Sequence, residues 1–73
     1  MSVAELLSAS REAHRSALLL RQRRDPAHRD MLSQARDFRV QAVEADPAFV
    51  DPAWADERAN HGALMAFYAK HLA

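Results

Sequence analysis

The sequence predicts an all-α domain of three antiparallel helices, a helical hairpin plus a third helix, arranged as a small bundle or an open hairpin array. Three observations predict it. Ala, Leu and Arg are abundant among the 73 residues, while Ile and Thr are absent and Val is sparse, so helix is favoured and a sheet lacks its usual residues. Apolar residues recur at helical spacing in three stretches. The pairs Asp25-Pro26, Asp46-Pro47 and Asp51-Pro52 divide those stretches.

The first helix opens at Ser2-Val3-Ala4-Glu5, a capping box in which hydroxyl and carboxylate each satisfy a backbone donor. It is expected over about residues 3–23, with Arg21, Arg23 and Arg24 at the end where positive charge suits the helix dipole. Val3, Leu6, Leu7, Ala13, Ala17 and Leu20 form its apolar stripe. The middle of that stripe (Ser10, Ala13, Ala17) is small enough for a second helix to come close.

Asp25-Pro26 reads as a helix start, because Asp accepts from free first-turn N–H groups and Pro loses nothing there. The second helix is expected over about 26–45, with Met31, Leu32, Ala35, Phe38, Ala42 and Ala45 as its main stripe. Asp46-Pro47 stops it, since proline restricts the residue before it. Phe49 and Val50 are expected to tuck into the core. Asp51-Pro52 then opens a third helix over about 52–72, striped by Trp54, His61, Leu64, Met65, Tyr68 and Leu72, with Phe67 alongside. Residues 1–73 make a single domain, near the lower size limit for one hydrophobic core. With no cysteine to form a disulfide, packing and association have to stabilise it.

Within the second stretch, Ala35, Phe38, Ala42, Asp46 and Pro47 fall in one register: a small residue, an aromatic three later, Ala four after that, and a closing Asp-Pro. The segment Ala35 to Pro47 thereby resembles the second helix of a tetratricopeptide repeat. Trp54 then sits near that family's early aromatic, one residue further from the proline than usual, and Gly62 departs from its close-packing glycine. The resemblance implies a helix-hairpin fold and protein or peptide binding without catalysis. Such repeats are stable only when several stack, so a chain with at most one and a half implies pairing with itself or a partner.

Composition narrows the function classes. The absence of cysteine removes thiolate metal sites and a cysteine nucleophile and suits a reducing compartment, so the expected setting is cytoplasmic. No stretch approaches the length of a membrane span, and no basic start followed by an apolar run suggests a signal peptide. The chain is neutral overall, yet residues 1–39 carry a net +3 and residues 40–73 a net −3.

The four histidines are the residues that most suggest chemistry. Metal sites in helical bundles use converging carboxylates and imidazoles, typically with Glu-x-x-His spacing, which this chain lacks. A zinc site from His14, Glu57 and His61 is conceivable, but the preferred reading makes His61 a core residue bonded to Glu57 or a backbone carbonyl. No metal and no cofactor is expected. Serine catalysis and phosphate cradles both want glycine-rich turns, and the chain has one glycine. No catalytic residue is assigned.

Two surfaces remain. Trp54, Met65, Phe67, Tyr68 and Leu72 cover more of the third helix than one narrow stripe, and a surplus apolar face marks an interface. The leading expectation is therefore a non-enzymatic protein–protein interaction module, a small adaptor, regulator or inhibitor that self-associates. The alternative is a small nucleic-acid-associated regulator using Arg11, Arg15, Arg21, Arg23, Arg24 and Arg29, although overall neutrality and the acidic region after the second helix weigh against phosphate.

Overall fold

The computed structural model describes residues 1–48 and 61–72, which contain three helices: α1 (Val3–Gln22), α2 (His28–Ala45) and α3 (His61–Leu72). The all-α small bundle expected from the sequence is the observed architecture. Phe49, Val50, the Asp51-Pro52 start, Trp54 and Glu57 lie outside the described residues.

α1 begins with the capping box: Glu5 N–H donates to Ser2 Oγ at 3.1 Å and Ser2 N–H to Glu5 Oε1 at 3.2 Å. Donation to the carboxylate from the Ser2 backbone N–H, and secondarily from the Ser2 hydroxyl, holds the Glu5 carboxyl below its ordinary pKa. At the other end Arg24 N–H donates to Arg21 O and Asp25 N–H to Leu20 O, the paired bonds of a Schellman stop. That stop places Arg24 in the left-handed region (φ 57°), where glycine is the usual occupant.

α2 starts two residues later than the proline suggests. Asp25 Oδ1 accepts from Ala27 N–H at 2.9 Å, so the aspartate does act as a cap. The residues it leads into first make tight three-residue bonds, His28 N–H to Asp25 O and Arg29 N–H to Pro26 O, before the α-helical pattern takes over. The far end stops as expected, with Asp46 extended (φ −140°, ψ 95°) ahead of Pro47.

α2 folds back along α1, and the small stripe lets the two approach closely. Ser10 and Ala35 are both fully buried, and Ser10 Oγ reaches the Ala35 carbonyl at 2.8 Å. α3 also runs against α1: His61 meets His14, and, further along α3, Tyr68 meets Ser10. α2 and α3 are thus both antiparallel to α1 and share one direction. The core joins Leu6, Leu7, Ala42, Leu64 and Tyr68, with Val3, Phe38, Met65, Phe67 and Leu72 half-covered around it.

Candidate functional site

Polar groups from all three helices meet inside this bundle. Ser10, His14 and Arg39 are essentially inaccessible, as is Tyr68. Burying such groups is costly unless each finds a partner, and a charged guanidinium costs most. Proton counting fixes how they pair. The Ala35 carbonyl only accepts, so the single Ser10 hydroxyl proton is committed to it. The phenol of Tyr68 then donates to Ser10 Oγ at 2.5 Å, and its oxygen accepts from Arg39 Nη1 at 3.2 Å. Donation therefore runs one way, from Arg39 on α2 through Tyr68 on α3 and Ser10 on α1, and back to α2.

One turn along α1 from Ser10, the His14 ring stacks on His61, with centroids 4.6 Å apart and planes within 10°. His14 Nε2 is hydrogen-bonded to His61 Nδ1, and the ring edge faces Tyr68. Burial, with lesser contributions from His61 and Arg39, lowers the His14 pKa from 6.5 to about 4. The imidazole is accordingly neutral at neutral pH. Its Nδ1 atom is buried with no hydrogen-bond partner among the described residues.

These rings border a cavity of about 270 Å³, counting its open mouth, lined by His14, Ala17, Leu18, Arg21, His28, Leu32 and His61. His28 Nδ1 lies 2.9 Å from the Asp25 carbonyl and donates to it. Among the described residues, no group of three or more His, Cys, Asp or Glu is placed to hold a metal ion.

The residues singled out in the sequence are distributed unevenly. Of the proposed partner-facing set, Tyr68 is fully buried and belongs to the polar relay, so it offers no surface in the single chain. Met65, Phe67 and Leu72 are half-buried against the core, and Phe67 also packs on the His71 ring at 4.3 Å. Trp54 is outside the described residues. Of the arginines, Arg21, Arg23, Arg24 and Arg29 are exposed at the end where α1 turns into α2. Arg15 and Arg11 instead reach Glu12, at 3.5 and 3.9 Å.

His61 pairs with His14, and the Glu57 partner expected from the sequence lies outside the described residues. Arg39 is a site residue that the sequence reasoning does not single out. Its signal is present all the same: it lies four residues after Ala35 and three before Ala42, on the very stripe that faces inward. No protein-family model, curated protein or solved structure matches this chain.

Proposed function

We propose that the protein is a non-enzymatic protein–protein interaction module, a small helical adaptor, regulator or inhibitor, that associates with a second copy of itself. One observation carries this reading. Among the described residues, the large apolar side chains fully covered are Leu6, Leu7, Leu64 and Tyr68, while Val3, Phe38, Met65, Phe67 and Leu72 keep part of their surface in water. Covering that remainder by association would gain roughly 25 cal/mol per Å² of apolar surface.

Two further features support it. Ser10 and Tyr68 commit their hydroxyl protons to structural partners, which suits a scaffold better than a reaction centre. Ala35 and Ala42, the small positions of the tetratricopeptide-like segment, are both fully buried, as expected of a helix hairpin built for close contact. No described helix is long and apolar enough to cross a membrane. The cysteine-free composition makes the cytoplasm the proposed setting.

The four exposed arginines at the α1–α2 turn favour nucleic acid as the second reading. Salt separates the two. Apolar self-association measured by sedimentation should hold its strength between about 50 and 500 mM salt, whereas phosphate contacts weaken steeply as counterions are released. Binding of a duplex or single-stranded oligonucleotide at low salt, lost on adding salt, together with a monomeric protein, would reverse the order of the two readings.

A further inference from the structure

We propose that His14 Nε2 and His61 Nδ1 together bind one cuprous ion, Cu(I), held in line between the two imidazoles where α1 meets the first turn of α3. The inference is independent of self-association, since it rests on this pair of rings.

The arrangement of the rings carries it. Their planes agree within 10° and their centroids are 4.6 Å apart. The contact between Nε2 and Nδ1, added to the two ring radii, makes up nearly all of that separation. The parallel rings are therefore offset end to end and not face to face, and each nitrogen aims its in-plane lone-pair direction at the other. Imidazole nitrogen suits copper and zinc alike, so the angle between the ligands has to separate them. Zinc asks for ligands that converge at tetrahedral angles. Cu(I), a closed-shell ion, accepts two nitrogens opposed along one line. Such a site needs two ligands, fewer than the three-residue groups that are absent among the described residues.

Proton balance holds whichever ring donates. Two neutral imidazoles carry two N–H protons; one is shared between the facing nitrogens, and one outward nitrogen is left bare. The ion takes the place of the shared proton, which moves to that bare nitrogen. Both outward nitrogens end protonated, and no proton is released.

The surroundings favour a monovalent ion. The charge of Arg39 acts on His14 from α2, and it repels a divalent ion about twice as strongly as a monovalent one. His14 is 1% exposed, which shields the ion from the water in which Cu(I) disproportionates. His61 is the half-buried first residue of α3, and the cavity bordered by both rings gives it room to draw back as the ion enters. The chain has no cysteine to draw Cu(I) elsewhere.

The test titrates the purified protein anaerobically with Cu(I) against the coloured chelator ferrozine, and separately with zinc chloride. One cuprous ion per chain should leave the chelator, and X-ray absorption at the copper edge should show two nitrogen neighbours in line. His61→Gln, at its half-buried position, should keep its helical circular dichroism and lower the affinity by about a hundredfold or more, since outer-shell groups alone are worth up to about a hundredfold. His14→Gln should do the same, while His71→Gln, at an exposed position outside the pair, should leave the affinity unchanged. The proposal is overturned if no copper leaves the chelator, if three or four ligands surround the bound ion, if His61→Gln binds copper undiminished, if His71→Gln loses it, or if zinc binds as tightly as Cu(I).

Discussion

The phenolic oxygen of Tyr68 lies 3.2 Å from Nη1 of Arg39 and 2.5 Å from Oγ of Ser10, so one side chain of α3 pins α1 and α2 together through their buried polar groups. Neither partner is reachable by water, and the loss of one member leaves the others unsatisfied in a low-dielectric interior.

Non-additivity is the expected signature. Tyr68→Phe removes the donor to Ser10 and the acceptor for Arg39 while keeping the ring, and should cost about 1–3 kcal/mol in urea unfolding. Ser10→Ala should cost a similar amount, about 1–3 kcal/mol, for the lost bond to Ala35 and the stranded phenol. The double variant should fall short of the sum by about 0.5 kcal/mol or more, since both changes break the same link. Strict additivity would mean that Ser10 and Tyr68 are not coupled.

Arg24 tests the backbone rather than the interior. It occupies the left-handed position of the α1 stop, and its side chain is exposed. Arg24→Gly should raise stability by roughly 0.5–1 kcal/mol, because glycine adopts that conformation without a side-chain clash. A loss of stability would show that the arginine side chain makes a contribution outweighing its backbone cost.

Much of this is legible in the chain. Ser2-x-x-Glu5 locates the start of α1 because the capping box is a local device, complete within four residues. Asp46-Pro47 locates the end of α2 for the same reason. The small stripe at Ser10, Ala13 and Ala17 foretells close helix packing, and those residues are buried. The polar centre is less legible, because periodicity reports which face is inward and not which polar groups will find each other there. Arg39 sits on the inward stripe, but in a sequence its charge argues for solvent. The aromatic character of its partner Tyr68 suits a surface contact as well as a core, and His14 and His61 meet across 47 residues of sequence.

Acid should weaken the fold through His14. Its pKa is lowered from 6.5 to about 4 in the folded chain, chiefly by burial. The unfolded chain therefore binds the proton more readily, and stability falls as pH drops from above 6.5 toward 4, levelling off below that. Urea midpoints taken at about pH 7.5 and about pH 4.5 should differ in that direction, and His14→Gln should reduce the difference. Equal midpoints, or a higher one in acid for the unaltered protein, would contradict the buried neutral state of His14.

The half-covered apolar rim is the centre of the functional account, and Phe67 is its most direct probe, since it is half-buried and packs on both Tyr68 and His71. Light scattering on the purified protein should give twice the 8.2 kDa chain mass, and Phe67→Asp should return it to a single copy with its helical circular dichroism retained. A one-copy mass for the unaltered protein at every concentration, or a Phe67→Asp variant that still pairs, would contradict the account.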